Sequence, residues 1–289
     1  MPARAPARET RTVALACALV VAASVAAAYI GGIHGAFVYD DLDSVVSNSS
    51  IRDFSTALSP PAGATVSGRP ILNLTLAVNY ALGGNSPVGY HVLNIVVHVA
   101  AALVLLGIVR RTLATPAAGA RPALEALLLA SGASLLWALH PIQVESVGYV
   151  IQRAESLMGL FYLTTLYCVI RHSQGGRSST AWASGAFVSC LLGMGTKESM
   201  ATAPLVVFLF DRTFLAGSFA EAWRRRWKLY LLLAACWAPL ALQVSLGGGR
   251  SGTAGFESGV PVWSYFITQM KAVVLYLRLS LWPRHLVGD

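Results

Sequence analysis

The sequence predicts an all-α polytopic membrane protein, and three observations carry that expectation. Apolar residues make up 55% of the 289 and charged residues only 12%, against about 25% charged in soluble domains. The apolar residues gather into six or seven long runs, most of them near the roughly 20 residues a helix needs to cross a bilayer. Thirteen of the 21 Lys and Arg residues fall into alternate gaps between these runs, while the other gaps hold the acids and histidines. By the positive-inside rule that alternation orients the spans, with the polar chemistry on the non-cytoplasmic side. The net charge of +8 is therefore a topology signal and implies no nucleic-acid partner.

The elements follow in order. Arg4, Arg8 and Arg11 precede an apolar stretch over 12–32, longer than the roughly 7–15 residues of a cleaved signal core. An uncleaved first span with a cytoplasmic N-terminus is expected. A polar outer loop occupies 34–88. It opens with Phe37-Val38-Tyr39-Asp40-Asp41-Leu42-Asp43 and is interrupted by Pro60, Pro61 and Gly63. Within it, Pro70 to Leu82 reads as an apolar helix too short to span and suited to the membrane surface. Span two (89–109) ends at Arg110-Arg111, and span three covers 123–139. After an outer loop over 140–155, span four (156–171) ends at Arg171. Spans five and six share 181–210, interrupted by Lys197-Glu198. The basic segment Arg224-Arg225-Arg226-Trp227-Lys228 precedes span seven at 229–246. A Gly-rich outer loop at 247–262 leads to a last apolar stretch, 263–282, holding Lys271 and Arg278. All of this reads as a single transmembrane domain over 1–289. Cys17, Cys168, Cys190 and Cys236 lie inside apolar runs without paired spacing, so they read as packing residues and not as a disulfide or metal framework.

Four places carry candidate chemistry. The adjacent carboxylates Asp40 and Asp41 repel, which raises one pKa and suits a general base or a divalent-cation site; a solvated loop or helix cap is the alternative. His91, Asn94 and His98 share one face of span two, for function or for inter-helix hydrogen bonding. The segment His140 to Glu145, then Gln152-Arg153-Ala154-Glu155, packs polar groups into a short outer turn. There Arg153 either pairs with Glu145 or Glu155 or forks a phosphate. Lys197-Glu198 inside an apolar run marks a functional position or a mutual ion pair.

Taken together, these segments resemble a known family. Phe37–Asp41, Arg69-Pro70, Asn79–Gly84 through Gly89–Asn94 and His98, His140–Glu145 with Gln152–Glu155, and Thr196-Lys197-Glu198 occur in that order. They resemble the membrane domain of the transmembrane and tetratricopeptide-repeat protein family and its bacterial relatives, which belong to the GT-C superfamily of polytopic glycosyltransferases. The resemblance runs from about residue 37 to 283. It implies a GT-C-like helix bundle with a long first outer loop. It also implies an inverting transferase that moves a mannose-like sugar from a polyprenyl-phosphate donor to a protein or glycan hydroxyl. Asp41 would be the base, oriented by Asp40. Arg69, Arg153 and Lys197 would offset the donor phosphate, and His91, His140, Glu145, Glu155 and Glu198 would orient substrate. Because the leaving group is a monophosphate, no metal or other cofactor is expected, a divalent ion at Asp40/Asp41 being the less favoured reading. The Ala- and Arg-rich composition suggests a bacterial inner membrane, with the active site facing the periplasm. No repeat of about 34 residues is present, and family members continue with further spans, so the chain is expected to be the N-terminal part of a longer membrane domain. Two other readings stand beside this one. An inactive relative could serve as a membrane scaffold. A transporter should show inverted repeats and ionisable groups at the bilayer midplane.

Overall fold

The computed structural model describes residues 7–61, 63–246 and 261–283, and among these it is helical with no strand. Twelve α-helices follow one another: α1 (Ala7–Tyr29), α2 (Phe54–Ala57), α3 (Pro70–Gly83), α4 (Pro87–Leu113), α5 (Ala123–Ala138), α6 (Val144–Gly148), α7 (Arg153–Ser173), α8 (Ser179–Met194), α9 (Ala203–Phe210), α10 (Phe219–Ala234), α11 (Trp237–Leu246) and α12 (Val262–Leu281). Arg4, the Gly-rich loop with Arg250, and the tail after Pro283 lie outside the described residues.

Among the described residues three helical stretches are long and apolar enough to cross a membrane: Arg11–Gly32, Pro87–Leu113 and Glu198–Ala216. A fourth exists if α5 and Pro141–Gly148, bent by 55°, count as one span. Seven spans were expected, and the differences have local causes. The apolar α8 has only 16 residues, short of a bilayer's thickness. The expected span over 229–246 is two helices, because Pro239 cannot bond back to the carbonyl of Ala235 and its ring would clash there. Lys197 and Glu198 interrupt 181–210 as expected: α8 stops at Met194, and a 3-10 turn over Glu198–Thr202 leads into α9.

α4 is the central helix, packed on α1, α5 and α7, and α7 packs on α8. Small residues line the α1–α4–α5 contact, with Ala102, Ala130 and Ala138 buried beside Val21, Val25 and Leu127. The first outer loop is ordered. A π turn (Leu42–Val46), a 3-10 turn (Ser49–Ile51), α2 and α3 close over a small core of Val45, Ile51, Val66, Leu72, Leu76 and Tyr90, which reaches Val150 and Ile151 before α7. Asn73 of α3 is the polar centre of this loop. It accepts from Asn48 Nδ2 at 2.9 Å and donates to Ser50 Oγ at 2.9 Å and the Ala57 carbonyl at 2.8 Å. The expected surface helix is thus α3, started by Pro70 at its first position, with Leu72 and Leu76 turned inward and Leu82 left exposed.

Candidate active site

The up-and-down order of helices brings the end of α1, the start of α4, the end of α5, the start of α7 and the end of α8 to one end of the bundle. Contacts join these ends: Tyr29 Oη and His98 Nε2 both reach the Ala138 carbonyl, at 3.1 and 2.9 Å. His91 Nε2 donates to the Gly35 carbonyl at 3.1 Å, tying α4 to the chain leaving α1. A Cβ at residue 35 would come within 3.3 Å of that imidazole, so any larger residue would crowd this approach.

The acid pair splits in two. Asp41 is 1% exposed, with Oδ1 accepting from the Ile151 N–H at 2.8 Å and Oδ2 from the Val38 N–H at 3.3 Å. Burial raises its pKa, opposed by the Ile151 and Val38 N–H groups and by His91. Asp40 is exposed, and its backbone N–H donates to Tyr149 Oη at 2.9 Å. Burial also pushes the Tyr149 phenol up, reinforced by the charges of Asp40, Asp41 and Glu145. Just before the pair, Tyr39 has φ of +44°, a left-handed conformation uncommon for a bulky residue. The backbone is strained where the two carboxylates diverge.

Arg153 stands at the start of α7 with no exposed surface. Its Nε donates to Asn94 Oδ1 at 2.7 Å, one Nη to the Tyr90 carbonyl at 2.9 Å and the other to the Thr75 carbonyl at 3.3 Å. Asn94 Nδ2 in turn lies 3.2–3.4 Å from the carbonyls of Val147, Tyr149 and Val150. Expected to hold phosphate, Arg153 is instead enclosed by protein acceptors, and it pins α3, α4 and α7 together beneath the acid pair. It pairs with neither Glu145 nor Glu155. Gln152 Nε2 donates to Glu145 at 3.1 Å, and Glu155 takes Lys197.

A second polar cluster adjoins the first turn of α7. The Ile71 N–H donates to the Gly195 carbonyl at 2.9 Å, docking the start of α3 on the turn after α8. Lys197 reaches Glu155 instead of Glu198, and Glu198 stands 3.6 Å from Arg69. Arg69 is 8% exposed, and its Nε is buried without a hydrogen-bond partner. Burial lowers its pKa while Glu155 raises it. An unpaired buried guanidinium N–H beside two acid–base pairs suits an added anion.

Of the residues expected from the sequence, Asp40, Asp41 and Glu145 thus gather around Tyr149, with His91 near Asp41. Arg69, Glu155, Lys197 and Glu198 form the neighbouring cluster. His140 stands apart: its Nδ1 accepts from the Ile142 N–H at 3.2 Å, and it borders an open apolar groove with Leu135, Leu136 and Pro141. Sequence reasoning missed Tyr149, which one tyrosine in a short turn does not signal. It also missed the loop network centred on Asn73.

The chain is similar to curated transferases. Protein O-mannosyl-transferase Tmtc2 of Drosophila melanogaster is 29% identical over 282 residues, which cover 90% of this chain and 29% of that protein. TMTC2 of Homo sapiens is 27% identical, covering 72% of this chain and 26% of the relative. TMTC4 of Homo sapiens is 33% identical, covering 57% and 25%. The chain spans less than a third of the length of these relatives. No family model matches it, and no solved structure matches it.

Proposed function

We propose that the chain carries the acid-pair site of a membrane glycosyltransferase of the O-mannosyl-transferase kind. The observation that carries this reading is the divided acid pair. One exposed carboxylate, Asp40, stands on a backbone locked by its buried neighbour Asp41, at the same bundle end as a cluster holding an orphaned Arg69 N–H. The similarity to named O-mannosyl-transferases supports the sugar and a hydroxyl acceptor on protein.

In this reading the donor is a polyprenyl-phosphate sugar entering from the bilayer. A general base must come within hydrogen-bond reach of the proton it takes, which favours the exposed Asp40 over Asp41 and reverses the order expected from the sequence. Asp40 takes the acceptor hydroxyl's proton, and the oxygen forms a bond to the anomeric carbon from the face opposite the phosphate. The bond from that carbon to the phosphate oxygen breaks with inversion. The departing lipid monophosphate gains negative charge, which Arg69 and Lys197 offset. Asp41, Asn94 and Arg153 hold the base in place. The positive-inside pattern supports a non-cytoplasmic position for this end.

A transfer assay in membranes with labelled polyprenyl-phosphate mannose, glucose and arabinose tests the reading. Mannose is the expected substrate. Asp40→Asn, nearly isosteric but unable to take a proton, should lower turnover at least about 100-fold at unchanged donor binding. EDTA should leave the rate intact. Normal turnover by Asp40→Asn, or loss with EDTA restored by Mn²⁺, would overturn the base assignment.

A further inference from the structure

The opposite end of the bundle holds three half-buried arginines: Arg110 and Arg111 close α4, and Arg171 nears the end of α7. Arg110 and Arg171 both lie near enough to repel the Arg111 charge. The Arg111 guanidinium sits 4.7 Å over the Tyr167 ring, and that of Arg171 sits 4.4 Å over Trp182 of α8. The two rings meet edge to face at 5.9 Å, so cation, ring, ring and cation form one ladder across α4, α7 and α8. Gly107 permits it, since a Cβ there would lie 2.8 Å from the Tyr167 ring.

Among the described residues no carboxylate pairs with any of the three. The acids near this end are engaged elsewhere: Glu125 with Arg121, Glu221 with Arg224 and Arg225, and Asp211 with Arg226 and Tyr230. The protein-side bonds are few: one Arg111 N–H to the Gly107 carbonyl at 3.1 Å and one Arg171 N–H to Tyr167 Oη at 3.4 Å. Like charges brought together and half withdrawn from water cost free energy that a bound anion relieves. Stacking on the rings fixes the guanidinium planes and leaves N–H edges that match phosphate oxygens. Basic pockets between helix ends, flanked by aromatic rings, lie where bilayer headgroups meet protein.

The geometry points to a binding site for the phosphodiester headgroup of an anionic phospholipid, gripped by Arg111 and Arg171 with Arg110 adding charge. This site lies away from the acid pair and does not depend on the proposed transfer. The test uses the full chain in a neutral detergent, with native mass spectrometry and thermal unfolding as readouts. Phosphatidylglycerol should be retained and raise the unfolding midpoint, while phosphatidylcholine and inorganic phosphate should not. Arg111→Gln and Arg171→Gln should each weaken the preference about five-fold. The double Lys variant keeps the charge but loses the fork, and should bind more weakly than the parent. Gly107→Ala, which displaces Tyr167, should do the same. Equal retention of phosphatidylcholine by the parent chain, the same shift from inorganic phosphate alone, or an unchanged preference in the double Gln variant would each overturn the site. If the variants do not fold, the comparison of lipids on the parent chain decides.

Discussion

At the scale of single residues, two buried charges give sharp expectations. The pKa of Asp41 is raised by burial, so folding favours its protonated form more than the unfolded chain does. The stability this contributes is full below the ordinary carboxylate range and is lost as pH rises through the raised value. Asp41→Asn removes that dependence and keeps an oxygen for the Ile151 N–H. Its unfolding midpoint should match the parent at acidic pH and exceed it at neutral pH. Midpoints measured across that window decide, and a parent that gains on the variant as pH rises would contradict the burial argument. Arg153 gives the second case. One Lys Nζ cannot satisfy acceptors on Asn94, Tyr90 and Thr75 at once. Arg153→Lys should therefore cost about 2–4 kcal/mol of stability and lower expression. A variant of normal stability with weakened donor binding alone would return Arg153 to the phosphate.

At the scale of elements, the site depends on the contact between the start of α3 and the turn after α8. Gly195 makes that contact. A Cβ there would lie 2.7 Å from Ile71 Cγ1, and the Gly195 carbonyl accepts from the Ile71 N–H. Gly195→Val should push α3 away at about 1–3 kcal/mol and move Arg69 off Glu198. In the transfer assay this should appear as a raised donor KM, with the acid pair undisturbed. An unchanged KM would detach the Arg69 cluster from donor binding.

At the scale of the molecule, sidedness is the central expectation. The Asp40–Asp41 loop and the Arg110–Arg111–Arg171 cluster occupy opposite ends of one bundle. Cysteines placed at the exposed positions Ser49 and Arg177 should label from opposite sides, Ser49 from outside and Arg177 from the cytoplasm. Strong external labelling at 177 would invert the orientation and put the acid pair on the cytoplasmic face. Thr253, expected outside, lies beyond the described residues.

The sequence by itself determined the helical membrane class, the two-ended charge pattern and the positions of the acid pair and of Lys197-Glu198. These are properties of composition and local order. Apolar runs of bilayer length force helices, and charges cannot remain in lipid without function or partners. Which partner each charge takes was decided only by the tertiary structure. Glu155 lies 42 residues from Lys197, and Asp41 lies 110 from the N–H that holds it. Burial depends on such long-range packing, so chain order could not show that Asp40 faces outward while Asp41 does not. Nor could it show that Arg153, which reads on paper as a phosphate fork, is enclosed by acceptors on α3 and α4. Electrostatic and hydrogen-bond energies act over a few ångströms of space, and only the fold converts distance along the chain into distance in space.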